Sequence, residues 1–239
     1  MCRMLGMAAA RPTSVRDLLH DAPRSLRVLS EEHADGWGIA LRRLRDPADQ
    51  SGKMIDMWTV KRSTTCAARC ASYAGFDQEA VLAIAHIRKK TVGDLSLSNT
   101  HPFQRGRFVF AHNGTVDTAP LVAATAPEHT ASLAGTTDSE KLFMFVLTHV
   151  DRAGEVTAGV TAAVRALHAL GSIGSASFLF CDGDRLYAHR LGRALFTTQR
   201  RGVSLIASEP LTDNDRWTEI VERQLVVLER PQPSGILAA

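Results

Sequence analysis

The order of patterned segments is what most limits the fold of this 239-residue chain. Apolar, strand-like runs come first, two amphipathic helical stretches follow, and strand-like runs return. Strands are expected over 2–8, 36–41, 54–60, 81–88 and 108–112, and again over 176–181, 185–189, 204–208 and 224–228. Helices are expected from Asp138 to about Val150 and over 156–170. A doubly wound parallel sheet needs regular βαβ alternation, which this order lacks. The pattern predicts an α+β layered fold with mostly antiparallel sheets.

Local signals refine that outline. Thr13-Ser14 reads as an N-cap for a short helix over 15–20, and 64–73 reads as helical. Residues 46–52 are polar and turn-rich, and Pro102 punctuates a loop. Asn113-Gly114 is a tight-turn dipeptide, and 118–137 reads as a loop rich in Ala, Thr and Pro. Asp138-Ser139-Glu140 places acidic residues in the first turn of the central helix, where the helix dipole favours them. Leu142, Phe145, Val146, Leu147 and Val150 give that helix its apolar stripe. Gly171 stops the next one, and Asp182-Gly183-Asp184 makes a hairpin of the strands around it. With no repeat and no linker, 1–239 reads as one domain, with a core over 1–229 and a loosely held tail over 230–239.

Composition removes several function classes. A net charge of +3 is small for this length, and Lys and Arg are scattered rather than gathered into a stripe, which excludes a nucleic-acid partner. Arg42-Arg43-Arg45 and Arg200-Arg201 read as solvated strand ends. No run approaches the roughly 18 apolar residues of a membrane span, and the first residues lack the pattern of a secretory signal. Cys2, Cys66, Cys70 and Cys181 are unevenly spaced and do not form a disulfide framework. A cytoplasmic setting is expected. Cys66 and Cys70 share a helix face at i, i+4 but lack ligand-spaced partners, so no metal site is expected.

The candidate chemistry starts at Cys2. Removal of Met1 would leave a cysteine with a free α-amine, whose reference pKa of about 7.7–8.0 suits a general base for its own thiol. The bland alternative is a small residue on a buried strand. Arg88, at the mouth of an apolar strand, suits a carboxylate with its planar fork; its alternative is a rim salt bridge. Asn113 and Gly114 can aim a side-chain amide and a backbone N–H at one oxygen, as an oxyanion hole requires; their alternative is the hairpin turn. Asp138 suits a substrate ammonium; its alternative is plain N-capping. Taken together, Arg88 and Asp138 would hold a zwitterionic amino-acid head, with the side-chain carbonyl before Cys2. Glutamine or another γ-glutamyl amide fits.

The segments Met1-Cys2-Arg3-Met4-Leu5-Gly6, His33-Ala34-Asp35-Gly36-Trp37-Gly38, Ala85-His86-Ile87-Arg88, Asn99-Thr100-His101-Pro102-Phe103, Ala111-His112-Asn113-Gly114 and Thr137-Asp138-Ser139-Glu140 occur in this order, with Ala207-Ser208-Glu209-Pro210 after them. The chain resembles the class II, N-terminal-nucleophile glutamine amidotransferases, from residue 1 to about 210. It is most similar to their small stand-alone subgroup, which includes the ergothioneine-pathway γ-glutamyl hydrolase. The resemblance implies a four-layer αββα sandwich and no cofactor. It implies Cys2 as nucleophile, Asn113 and Gly114 as oxyanion donors, and Arg88 and Asp138 on the substrate head. It puts Gly36 and Trp37 near the pocket, with core packing the alternative for Trp37. His86, His101 and His112 read as structural. Lys89-Lys90 depart from the family pattern on the pocket's outer wall. Only about 30 residues follow Ser208, too few for a synthase domain, so hydrolysis of a small-molecule γ-glutamyl amide is expected. A glutaminase subunit serving an ammonia-consuming partner, a homodimer, and a non-catalytic γ-glutamyl binding module stay open.

Overall fold

The computed structural model describes residues 2–44 and 58–231. Its elements in chain order are β1 (Arg3–Ser14), α1 (Leu26–Leu29), β2 (Trp37–Arg42), β3 (Thr59–Ser63), α2 (Ala71–Ala74), β4 (Glu79–Ile87), β5 (Phe103–Arg105) and β6 (Phe108–Val116). The helical segment follows as α3 (Thr118–Ala124), α4 (Pro127–Ala131), α5 (Asp138–Ala153) and α6 (Val156–Ala169). The chain closes with β7 (Gly174–Cys181), β8 (Arg185–His189), β9 (Phe196–Arg200), β10 (Val203–Ala207), β11 (Thr218–Glu219) and β12 (Leu225–Glu229).

Seven strands form one sheet in the order β11-β9-β10-β1-β4-β2-β3, and five form a second in the order β12-β8-β7-β6-β5. Every pairing is antiparallel. Side chains alternate across a strand, so each central strand feeds two apolar layers. Met4 and Ala8 of β1, Leu82 and Ile84 of β4, Val109 and Ala111 of β6, and Leu179 of β7 pack between the sheets. Their neighbours Leu5, Met7, Ala83 and Ala85 face outward, onto Leu18, Leu19, Leu26 and Tyr73 of the short helical turns and Phe76 just after α2. On the other side Phe110, Phe178 and Phe180 meet Phe143, Leu147, Val160 and Leu167 of α5 and α6. Three apolar layers between four structural layers make an αββα sandwich, as expected.

Several local expectations were overridden by tertiary pairing. Thr13 and Ser14 cap no helix; they extend β1 and pair with Ala80 and Glu79. Only the π-helical turn Asp17–Asp21 follows, and it buries Leu18 and Leu19. Residues 64–73 do not form one helix. A 3-10 turn over Ala67–Arg69 and α2 share that stretch, so Cys66 and Cys70 do not lie on a common helix face. The stretch 118–137 contains α3 and α4. β9, absent from the sequence pattern, pairs with β10. The expected strand over 54–60 lies partly outside the described residues, and the described β3 starts at Thr59. The expected turn over 46–52 and most of the 230–239 tail also lie outside them.

Asn113-Gly114 does not turn the chain. Both residues continue β6, opposite Ser177 and Ala176 of β7. At the start of α5, Thr137 rather than Asp138 is the N-cap, its side chain accepting from the Glu140 N–H. Among the described residues no helix is long and apolar enough to cross a membrane.

His86, His101 and His112 are buried near the active end of the sheets. Burial lowers all three below the ordinary imidazole value, His86 to about 3. Near pH 6.5 and below, the unfolded chain takes up protons that the folded chain refuses. Stability is therefore full above that pH and is lost as pH falls through it. The thermal midpoint is expected to drop as pH is lowered from about 7 to 5, and His86→Gln should flatten that dependence. An unchanged slope in a calorimetric pH series of the variant would contradict this.

Candidate active site

The site forms where β1 begins and β4 and β6 end. β1 lies in the middle of its sheet, between β10 and β4. That pairing brings Cys2, just before β1, beside the residues that follow β4. The Cys2 Sγ accepts from the Lys89 N–H at 3.2 Å and lies 3.3 Å from the Lys89 carbonyl oxygen, to which the thiol donates. From the facing sheet, Asn113 Nδ2 donates to the Cys2 carbonyl at 3.1 Å. The sulfur is thus held by one sheet and its backbone by the other. Burial pushes the Cys2 thiol above its ordinary value, with the Lys89 N–H opposing. At neutral pH it is therefore a protonated thiol.

Gly114 directs its N–H out of the β6–β7 ladder. The Ala176 N–H opposite it bonds to the Leu191 carbonyl on the far side of β7. The Gly114–Ala176 pair is therefore a non-hydrogen-bonded pair of the antiparallel ladder, and the Gly114 N–H points away from β7. Val116, two residues on, has the same phase, and its N–H goes to Asp138 Oδ2 at 2.9 Å. Gly114 has φ +148°, and a Cβ there would run into the Ser175 carbonyl. A cavity of about 320 Å³ opens here, lined by Cys2, Asn113, Gly114, Lys89, Thr91 and Arg193 among others.

Arg88 and Asp138 stand behind that wall. Arg88 is buried. Its Nη1 donates to the Asp94 carbonyl at 3.1 Å and its Nη2 to the Val92 carbonyl at 3.1 Å. The guanidinium thus folds the 92–94 loop around itself. Asp138 accepts from the Val116 and Ser139 N–H groups, both at 2.9 Å. Asn99 ties the two regions together: its Nδ2 donates to the Asp94 carbonyl and its Oδ1 accepts from the Thr136 N–H at 2.8 Å. Glu140 closes the same loop by accepting from Gly135 N–H at 2.6 Å and Arg105 at 2.7 Å. Asn99 and Glu140 stand in two of the ordered segments, but only tertiary contact reveals that they brace Arg88 and Asp138.

Gly36 and Trp37 do not line the cavity. The Gly36 carbonyl accepts from the Arg88 N–H at 2.8 Å, and Asp35 Oδ2 accepts from the Lys90 N–H at 2.8 Å. Gly36, at φ +130°, lies against the Ser63 carbonyl, where a side chain has no room. It sets the backbone that carries Arg88. Trp37 is buried in the outer core, edge-on to Tyr73 at 5.0 Å, so core packing is what the fold gives it. His112 Nε2 lies 3.0 Å from the Ser175 carbonyl, which needs a donor. The neutral ring is therefore protonated at Nε2, and Nδ1 accepts from Ser139 Oγ at 2.9 Å. That bond fastens β6 to the first turn of α5. The His86 and His101 rings lie 4.2 Å apart between centroids, tilted by 33°. Among the described residues no cluster of three His, Cys, Asp or Glu is arranged to hold a metal.

The family model for class II glutamine amidotransferases matches residues 1–202. The chain belongs to the class II glutamine amidotransferases. It is accordingly an enzyme that acts on amide bonds, built as an Ntn-type sandwich. A γ-glutamyl-hercynylcysteine sulfoxide hydrolase of Mycobacterium tuberculosis is 31% identical over 95% of this chain and 92% of its own. A putative glutamine amidotransferase of Haemophilus influenzae is 25% identical over 92% of this chain and 81% of its own. The crystal structure of a predicted glutamine amidotransferase from Pseudomonas aeruginosa superposes with a TM-score of 0.64 at 27% identity, covering 100% of both chains. The Bacillus subtilis glutamine phosphoribosylpyrophosphate amidotransferase shares the fold, with a TM-score of 0.64 at 14% identity over 95% of this chain and 47% of its own.

Gly114→Ala in this amidotransferase is expected to cost at least about 1 kcal/mol of stability, since an L side chain is strained at that φ. It should also displace the Gly114 N–H and depress turnover more than stability. A variant with wild-type melting and wild-type amidase rate would show that the glycine is dispensable.

Proposed function

We propose that the enzyme hydrolyses the γ-amide of a γ-glutamyl small molecule, with Cys2 as nucleophile once Met1 is removed. The observation that carries this reading is the double hold on Cys2. Its sulfur is fixed at the Lys89 backbone, its carbonyl is fixed by Asn113, and the Gly114 N–H is turned away from the sheet beside it. The whole-length similarity to a γ-glutamyl hydrolase favours hydrolysis over delivery of ammonia to a partner synthase. A γ-glutamyl small molecule is then the only partner that the reaction requires.

In this reading the α-amine of Cys2 takes the thiol proton, and the sulfur forms a bond to the amide carbon. The carbonyl oxygen becomes an oxyanion that accepts from Asn113 Nδ2 and the Gly114 N–H. Such donors are worth about 10²–10³ in rate each. The C–N bond then breaks, and the ammonium formed on Cys2 returns its proton to the leaving amine. Water, deprotonated by the same amine, hydrolyses the thioester to glutamate and the free thiol. Arg88 Nε and the Asp138 carboxylate face the glutamyl head, on its α-carboxylate and α-ammonium. Their backbone bonds hold both groups still, so little ordering is left for binding. Gly36 acts through Arg88 rather than on the substrate.

Cys2→Ala is expected to abolish turnover while the variant still binds glutamate; wild-type turnover by it would end the proposal. A raised thiol pKa and an amine base together predict that kcat/KM climbs with pH and levels off near the amine value of about 7.7–8.0. Intact mass should show a chain lacking Met1. An active enzyme that retains Met1, or a rate flat from pH 6 to 9, would exclude the amine as base.

A further inference from the structure

The four cysteines sit in different surroundings. Cys2 lines the cavity of the candidate active site. Cys66 is buried, and its Sγ donates to the Ser30 carbonyl at 3.2 Å. Cys181 lies between the sheets, where burial pushes its thiol far up. Cys70 is half-buried and stands outside the cavity lining, between the 3-10 turn over Ala67–Arg69 and α2. It packs on the outer apolar layer that contains Trp37 and Tyr73. Its neighbours Thr65, Arg69, Ala71 and Ser72 are exposed, so a small solute reaches the sulfur.

Donors converge on that sulfur. Ser72 Oγ lies 3.2 Å from Cys70 Sγ. The Thr65 hydroxyl also faces it. Ser63 Oγ, 2.8 Å from Thr65 Oγ1, can donate to that oxygen and leave the Thr65 hydrogen for the sulfur. From the core side comes Trp37 Nε1, which is directed at Cys70. The Trp37 side chain is buried, and among the described residues its Nε1 has no hydrogen-bond partner. The only acceptor in front of it is a thiol sulfur, a weak one. A buried donor left in that state is costly, and an added oxygen acceptor relieves the cost. Burial raises the Cys70 thiol, but the hydroxyls of Ser72 and Thr65, the Tyr73 N–H and Trp37 outweigh it and hold the group at about 6. At neutral pH Cys70 is then mostly thiolate, the nucleophilic form.

We propose that Cys70 is a modification site for hydroperoxides, with Trp37 Nε1–H and the Ser72 hydroxyl as the cradle of the sulfenate that forms. The Cys70 sulfur attacks one peroxide oxygen. An S–O bond forms, the O–O bond breaks, and hydroxide leaves. That hydroxide takes the proton of the new S–OH and becomes water, so thiolate and hydrogen peroxide give sulfenate and water. The sulfur loses two electrons and the peroxide gains them. The new oxygen projects from the sulfur and is a stronger acceptor, which supplies what Trp37 lacks. The site needs neither Cys2 nor the removal of Met1, so it stands apart from the γ-glutamyl reading. Because Cys70 is outside the cavity lining, a substrate-shaped electrophile is not directed to it.

The test treats the Cys2→Ala protein, which keeps the other three thiols, with a few equivalents of hydrogen peroxide at neutral pH in the presence of dimedone, and maps the adducts by peptide mass spectrometry. Cys70 should carry at least about ten times the adduct of Cys66 or Cys181, because it alone of the three is both reachable and ionised. Thr65→Ala with Ser72→Ala, two exposed changes, should slow labelling of Cys70 about threefold or more, as lost thiolate outweighs the gain in nucleophilicity. Trp37→Phe keeps an aromatic ring against Tyr73 but removes the donor. It should at least halve the adduct trapped when dimedone is added after the peroxide has been destroyed with catalase. Equal labelling of the three thiols, no adduct on Cys70, or a Cys70 yield unmoved in both variants would overturn the proposal. If Trp37→Phe fails to fold, the distribution over the three thiols and the hydroxyl variant still decide.

Discussion

The site depends on the apolar layer pressed between the two sheets. Met4 and Ala8, Leu82 and Ile84, Val109 and Ala111, and Leu179 alternate with residues that face the outer layers, and their burial sets how the sheets lie on each other. Fully burying a Val, Leu, Ile or Met side chain contributes roughly 1.5–3 kcal/mol, and the alanines less. At the active end of the strands the same inward phase continues with polar residues, His86 on one sheet and Asn113 on the other. The apolar register therefore aims the polar ends. A slip of one residue in β6 would turn Asn113 outward and bring His112 in.

That constraint explains why rigid backbone does so much of the positioning. Cys2 is held by the Lys89 backbone, Arg88 by three consecutive loop residues, and Asp138 by two N–H groups. Each charged group is buried beside fixed dipoles, which lowers the cost of keeping it charged away from water. Asn99 and Glu140 link the loops that carry these dipoles. The resulting arrangement puts Cys2, Asn113 and Gly114 in the cavity wall, with Arg88 and Asp138 outside that lining.

Much of this was legible in the chain. The strand–helix–strand order predicted antiparallel layers, and the ordered segments located Cys2, Arg88, Asn113 and Asp138 within one family pattern. What failed did so for identifiable reasons. Asn-Gly is a turn signal in isolation, but eight residues of β6 pair with β7, and the ladder outweighs the local preference. Ser14 is a good cap, yet β4 offers it a strand partner. Trp37 stands in a pocket-like motif, but strand alternation turns it outward to Tyr73. The braces Asn99 and Glu140 gave no periodic signal, because their partners lie in distant loops.

The central claim is that Cys2, as the first residue of the mature chain, is the nucleophile for a γ-glutamyl carbonyl. Its most direct test is intact mass spectrometry after incubation with a glutamine-derived diazoketone, followed by peptide mapping. One adduct is predicted, on Cys2 of a chain that lacks Met1, with none on Cys2→Ala and with protection by excess glutamate. An adduct on Cys70, or none at all on an enzyme that turns over γ-glutamyl amides, would contradict it.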